Sequence, residues 1–280
     1  MLKRTVTGAV YVAVIAGFFI LRQCADIRFF AALILFFCAV GTFEIARAVK
    51  EKLFDGVFTF AVIFGILFVP VYFLFNYIVD FSSGAVISLL FCGVSIFSVL
   101  IIFAVKKGNG GILFNLLPFV YPCLLLLTTL LSNDLKENSL TALFLIFVIP
   151  ALSDTFAYLV GMTYNKIRRG KAKKMCPVLS PQKTWAGAIG GLFGGIAGAI
   201  IVLYATGFSS EKFAELPIFM LIGVLSAVFT ETGDLFESLI KRKVGLKDIG
   251  NIMPGHGGIL DRIDGLMFAS AFIYLVFSVI

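Results

Sequence analysis

The sequence predicts an all-α, polytopic integral membrane protein, and three observations carry that prediction. Of 280 residues, 60% are hydrophobic and 32 are Phe, while only 14% are charged. A soluble domain of this size has no use for so much apolar surface. The apolar residues come in long continuous runs, which suit helices rather than the alternation of a barrel strand. The charges gather between the runs with a strong bias of sign, which sets an orientation.

About nine runs are expected to span the bilayer: 6–21, 29–49, 57–75, 85–105, 112–131, 140–160, 185–204, 216–240 and 263–280. Each can cross roughly 30 Å of hydrocarbon, given a modest tilt or a short polar overlap. With a cytoplasmic N-terminus, 19 of the 23 Lys and Arg residues fall in cytoplasmic segments; only Arg22, Arg28, Lys136 and Lys212 fall outside. The positive-inside rule therefore places the N-terminus in the cytoplasm and the C-terminus outside. The net charge of +7 then belongs mainly to the inner face of the cytoplasmic membrane, where anionic lipids and nucleotides are met.

The first run opens on Lys3-Arg4 like a signal peptide, but no small-x-small cleavage site follows, and a retained helix is expected. Leu21-Arg22-Gln23-Cys24 lacks the small residues of a lipoprotein acylation site. The five cysteines are scattered, which argues against zinc and against a disulfide framework and suits apolar packing. In the second run Glu44 and Arg47 lie three apart, so a pairing on one helical face is expected. The loop 106–111 is a turn whose lysines anchor topology, and residues 133–137 make an ordinary polar connection. The first five runs, 1–138, form an N-terminal region; 139–280 is expected to hold the functional site on its cytoplasmic face.

The sixth run carries Ser153-Asp154-Thr155, with Asp154 ~21 Å from the outer edge at ~1.5 Å per residue. An acid at that depth faces protein or water, as a functional ligand or as a basic neighbour's partner. The longest polar connection follows, with seven basic residues from Lys166 to Lys183. It ends in Ser180-Pro181-Gln182-Lys183-Thr184-Trp185. Pro181 disfavours helix before it, and Trp185 suits the membrane interface. Ser180, Lys183 and Thr184 thus offer hydroxyl, ammonium and backbone N–H groups at a helix start, a seat for phosphate.

The seventh run repeats small residues at Gly187, Gly191, Gly195 and Ala199, with Gly190, Gly194 and Gly198 alongside. That spacing lets helices approach closely, so its role is packing. The eighth places Glu231, Asp234 and Ser238 on one face, and Asp261 and Asp264 open the ninth. Asp154, Asp234, Asp261 and Asp264 are all expected near the cytoplasmic boundary. Unpaired acids so gathered repel one another, and a hard divalent cation such as Mg²⁺ relieves them better than zinc. Between them lie Lys241-Arg242-Lys243, Lys247-Asp248, and a glycine-rich loop around His256, the only histidine, whose backbone N–H groups could approach an anion. His256 is read either as a structural group or as a contact to that anion. Metal-holding acids flanked by basic residues at the inner surface suit a polyphosphate substrate and a lipid acceptor.

The stretch Ser238-Leu239-Ile240-Lys241-Arg242, Lys247-Asp248, then Pro254-x-His256-Gly257-Gly258-x-x-Asp261-Arg262-x-Asp264 resembles the C-terminal motif of phosphatidate cytidylyltransferases. Gly233-Asp234-Leu235-x-x-Ser238, Ser153-Asp154-x-x-Ala157-Tyr158-x-x-Gly161 and Ser180-Pro181-x-Lys183-Thr184-Trp185-x-Gly187 are similar to that family as well. The resemblance covers roughly 154–265. It departs at Gln182 and Ala186, where the family usually has lysine and glutamate, and at Asn165-Lys166, where a second glycine is usual.

The resemblance implies that CTP and phosphatidate give CDP-diacylglycerol and pyrophosphate. It implies a catalytic set of Asp234, Asp261, Lys241, Arg242, Lys247, Asp248, His256 and Arg262, with Ser180, Lys183, Thr184, Ser238, Gly257 and Gly258 against substrate. Asp234 and Asp261 are the first choice as Mg²⁺ ligands, with Asp154 and Asp264 second and room for a monovalent cation beside them. The expected partners are CTP, phosphatidate and membrane lipid, with no nucleic acid, and the glycine ridge leaves a homodimer open. A CTP-dependent polyprenol or phytol kinase would share these requirements but release CDP. A cation transporter would place its acids nearer mid-bilayer and show half-helix repeats.

Overall fold

The computed structural model describes residues 2–53, 56–78, 89–90, 92–97, 100, 112–207, 212–253 and 257–279. Helices dominate: α1 (Leu2–Cys24), α2 (Phe29–Ala48), α3 (Val57–Phe73), α4 (Ile112–Phe119), α5 (Leu125–Asn133), α6 (Ser139–Ile167), α7 (Trp185–Thr206), α8 (Lys212–Val244) and α9 (Leu260–Phe277). Among the described residues, seven helical stretches are long and apolar enough to cross a membrane. The chain is an all-α, polytopic integral membrane protein. α9 stands apart from the seven because Asp261, Arg262 and Asp264 crowd its start. The run expected at 85–105 lies largely outside the described residues, as do the loop 106–111 and His256.

Proline shapes two of the spans. α4 and α5 are joined through a wide turn, Val120–Leu124, that holds Pro122, and α3 loosens into another, Leu74–Ile78, one turn past Pro70. Proline lacks an N–H and crowds the preceding turn, and a locally widened helix accommodates it.

α6 and α8 overrun the bilayer. Their 29 and 33 residues extend about 43 and 50 Å at ~1.5 Å per residue, against roughly 30 Å of hydrocarbon. Apolar runs at 140–160 and 216–240 mark only the apolar part of each, because backbone hydrogen bonding continues into polar residues. Lys241 and Arg242 therefore stand on helix, which ends before Gly245 at φ 75°.

The chain forms two compact units, Met1–Leu131 with Val244–Arg262, and Ser132–Lys243 with Ile263–Ile280. The sequence reading grouped 244–262 with the C-terminal helices; in the structure this segment packs with the N-terminal ones.

In the first unit, Phe30 and Phe37 of α2, Phe64 and Phe68 of α3 and Phe119 of α4 are fully buried. The Phe119 ring meets Phe64 edge-on at 5.1 Å and Phe60 at 5.3 Å, contacts worth about 1 kcal/mol each beyond their area. Gly65 of α3 sits against Thr42, whose hydroxyl lies 3.3 Å from Cys123 Sγ. Asn115, buried at the start of α4, donates to the Lys52 carbonyl.

In the second unit, α7 lies between α6 and α8, and its glycines are the reason it can. A Cβ on Gly194 would strike the Leu152 carbonyl of α6, and one on Gly195 the Gly223 carbonyl of α8. Gly223 answers from the other side, where a Cβ would lie 2.6 Å from the Gly195 oxygen. Without side chains the backbones meet directly, which is how helices gain contact where lipid removes the hydrophobic drive. The packing role read from the spacing thus has named partners. Gly233 and Gly265 repeat the device where α8 meets α9.

A short antiparallel hairpin precedes α7: β1 (Lys174–Cys176) pairs with β2 (Ser180–Thr184), Lys174 facing Thr184. The sequence reading expected an extended approach to the helix but not a strand partner. Overpacking at a tight contact typically costs ~1–3 kcal/mol. Gly195→Val should therefore lower the unfolding temperature of the purified protein by several degrees, whereas Gly17→Ala, which meets nothing within 4 Å, should not.

Candidate functional site

The second unit holds a cavity of about 470 Å³, and residues of four elements meet on its wall. α6 supplies Asp154, Gly161 and Asn165; β2 supplies Ser180, Lys183 and Thr184; α7 supplies Gly187; α8 supplies Glu231 and Asp234. The glycine contacts explain the convergence. Gly187 nests against Ala157 and Gly161 of α6, and a Cβ on Gly191 would lie 2.7 Å from Glu231 Oε1 and 3.1 Å from Ser153 Oγ.

Lys183 and Asp234 are the charged centre of this wall. The ammonium lies 2.7 Å from Asp234 Oδ2, both side chains about a quarter to a third exposed. At that exposure solvent screens the pair, and its worth is well under that of a dry ion pair. Ser238, one turn along α8, donates weakly to Asp234 Oδ1 at 3.4 Å. The charges of Asp264, Asp234 and Glu231 all bear on Asp154, and Lys183 opposes them.

The hairpin lies along α8. Arg242 donates from Nε to the Leu179 carbonyl at 3.1 Å, while Lys183 reaches Asp234. Residues 234 and 242 are ~12 Å apart on a helix, and 179 to 183 span ~13 Å of extended chain. The two lengths match, so one strand is fastened at both ends to one helix.

Thr184 closes the arrangement as the N-cap of α7. Its backbone is extended, and its hydroxyl oxygen accepts from Gly187 N at 3.0 Å. The phosphate seat read from the sequence is thus partly satisfied from within, leaving the Thr184 hydroxyl proton to donate.

The other predicted residues separate by position. Asp264 is not among the cavity-lining groups; its Oδ1 accepts from Gly265 N at 2.8 Å, and Glu237 Oε2 receives Lys241 at 3.2 Å. Lys247, Asp248, Gly257, Gly258, Asp261 and Arg262 belong to the first unit. Lys247, Asp248 and Arg262 are exposed, and Asp248 lines a separate cavity of about 490 Å³ with Glu44 and Arg47. Gly258, at the end of the glycine-rich stretch, meets a carboxylate of the protein itself. Gly258 N donates to Asp261 Oδ2 at 2.7 Å.

Glu231 is the cavity-wall acid that sequence reasoning left out of the site; Glu237 and Glu44 are acids elsewhere whose partners it did not foresee. Glu231 had a signal, three residues before Asp234 on the same face. Glu237 had none beyond its charge. Glu44 was expected to pair with Arg47; instead its two oxygens accept from Ile259 N and Leu260 N, more than 200 residues away.

The donor set on the cavity wall is all oxygen, as a hard cation requires. Glu231 Oε1 is buried without a hydrogen-bond partner among the described residues, as is Ser153 Oγ. Those residues hold no group of three or more acid, His or Cys side chains arranged as a metal cage. Mg²⁺ fits this chemistry because it typically takes one or two carboxylates and completes its shell with water and substrate phosphate.

Fold and cavity together define an integral membrane protein with a site that carries acids and a lysine among glycine-packed helices. The chain belongs to the cytidylyltransferase family, whose profile matches residues 2–280. It is 37% identical over 147 residues to a phosphatidate cytidylyltransferase of Brucella abortus (strain 2308), a match covering 52% of this chain and 50% of the relative. It is 38% identical over 150 residues to that of Bacillus subtilis (strain 168), covering 52% and 51%. It is 40% identical over 137 residues to that of Staphylococcus aureus (strain COL), covering 48% of each. The chain thus spans about half the length of the curated relatives it matches.

Loss of an N-cap costs ~1 kcal/mol. Thr184→Ala should lower thermal stability by a few degrees and Thr184→Ser should restore it, as read by thermal unfolding in detergent.

Proposed function

We propose that the protein is a phosphatidate cytidylyltransferase of the cytoplasmic membrane, making CDP-diacylglycerol and pyrophosphate from CTP and phosphatidate. The observation that carries the reading is the cavity of the second unit. Acids from two membrane helices face a lysine and hydroxyls from a hairpin fastened along one of them. Relatives named for this activity, and the signature from Ser238 to Asp264, support it.

The chemistry asks little acid–base work of the protein. A phosphate monoester with second pKa near 6 is already largely dianionic at neutral pH. Its oxygen attacks the α-phosphorus of CTP, the bond from that phosphorus to the bridging oxygen breaks, and pyrophosphate departs with the electron pair. His256 is then a polar contact and not a base. Lys183 would meet a phosphate oxygen, with Ser180 and Thr184 on the same cavity wall. Lys241, Arg242, Lys247 and Arg262 are proposed to hold triphosphate or lipid phosphate, with Asp248, Ser238, Gly257 and Gly258 supporting them.

Asp234 and Asp154, with Glu231 added from the structure, would hold Mg²⁺ in the second unit, and Asp264 is a further candidate. Asp261 is assigned as a ligand on the strength of the signature. Mg²⁺ bound by these residues would withdraw charge from the phosphoryl oxygens. A monovalent cation beside it is part of the same proposal. So are nine spans, a cytoplasmic N-terminus, an active site on the cytoplasmic face and a homodimer; nucleic acid has no part in the reading.

The test uses the purified protein with phosphatidate, Mg²⁺ and CTP labelled at the α- or γ-phosphate. Lipid-extractable α-label with γ-label in pyrophosphate is expected. γ-Label in lipid would make the protein a kinase, and no lipid label from folded protein would remove the transferase reading. Removing one positioned charge from a phosphoryl-transfer site costs roughly 10²–10³-fold in kcat. Asp234→Asn should lose at least that much while unfolding at the wild-type temperature, and chelation of divalent cations should abolish turnover.

A further inference from the structure

Glu44 is the one acid in α2, a mostly apolar membrane helix; it is 2% exposed and lies outside every motif that the proposed chemistry uses. Its Oε1 accepts from Ile259 N at 3.2 Å and its Oε2 from Leu260 N at 2.9 Å. These N–H groups open α9 and have no partner inside the helix, and a helix start favours an anion.

The loop is shaped around this carboxylate. A Cβ on Gly250 would collide with Glu44 Oε1, and one on Gly258 would lie 2.7 Å from that oxygen. Asp261 grips the same loop from within, accepting from Gly258 N at 2.7 Å and from Ile249 N at 3.4 Å. Gly257, at φ 85°, would carry a Cβ 2.8 Å from Asp261 Oδ2. Two carboxylates, one from α2 and one from the signature, therefore hold Ile249 and residues 258–260 between them.

We propose that Glu44 is a positioning residue: it pins the start of α9 and so fixes the direction in which Asp261 and Arg262 project. The catalytic consequence rests on the cytidylyltransferase reading; the pinning does not. Aspartate is one methylene too short to reach both N–H groups. Glutamine keeps one acceptor and turns an NH₂ toward a donor. The expected order of function is therefore Glu, then Asp and Gln, then Ala.

The experiment pairs amide hydrogen exchange with steady-state kinetics on the full chain in lipid nanodiscs. In Glu44→Gln, exchange at Ile259 and Leu260 should rise ~10-fold or more while α6 and α7 keep wild-type protection. The kcat for CDP-diacylglycerol should fall ~10-fold or more, with KM for phosphatidate within about twofold. Glu44→Ala should go further. Should it fail to fold, Gly250→Ala supplies the second arm: it drives a methyl into the carboxylate and should loosen the same amides. Unchanged exchange at 259–260 in Glu44→Gln overturns the pinning. Raised exchange with unchanged kcat overturns the positioning role. If the wild-type protein makes no CDP-diacylglycerol, the functional reading fails, while the exchange result still decides the pinning.

Discussion

The second unit depends on a contact made by the absence of side chains. α7 meets α6 and α8 through glycine, backbone against backbone, at Gly187, Gly194 and Gly195. Ordinary side chains would hold helix axes ~8–10 Å apart or more. The closer approach puts Ser153 of α6 and Glu231 of α8 against the same glycine, Gly191. The cavity is a product of that approach: its acids come from helices that α7 draws together, and its hydroxyls and lysine come from the strand that leads into α7.

A membrane protein that keeps many carboxylates near hydrocarbon has to satisfy them, and this one does so in different ways. Glu44 takes the free N–H groups of a helix start, Asp261 takes its own loop, Glu237 takes a lysine one turn away, and Asp234 takes Lys183 from the hairpin. The first two are held by backbone and cannot easily be released without moving the chain. The last is held by a flexible side chain. Glu231 Oε1 lacks a hydrogen-bond partner among the described residues and sits on the cavity wall. In the second unit, Asp234 and Glu231 are thus acids that backbone does not claim.

Much of this was legible in the sequence, for reasons that separate local from distant interactions. Apolar runs mark spans because bilayer thickness imposes a length, and the fourfold glycine spacing marks a packing ridge because helix geometry repeats. Asp154, Asp234 and Lys183 could be nominated because charge near hydrocarbon is costly and the signature is dense. The ends of α6 and α8 were not legible, since hydropathy stops where polarity begins while hydrogen bonding continues. The partner of Glu44 was not legible either: an acid three residues from an arginine reads as a local pair, and nothing nearby reports an N–H group more than 200 residues away.

The Lys183–Asp234 pair has a consequence for competition. A tethered ammonium acts on its partner at an effective concentration of roughly millimolar or above, whatever the surrounding solution contains. Any free cation that takes Asp234 must displace this built-in rival. Once displaced, Lys183 stays beside the cavity without its counter-ion, and an arriving anion becomes its natural partner. Occupation by cation and by anion would thereby be coupled, each raising the affinity for the other by the same factor. A pocket built this way favours the two arriving as one neutralised package over either arriving alone.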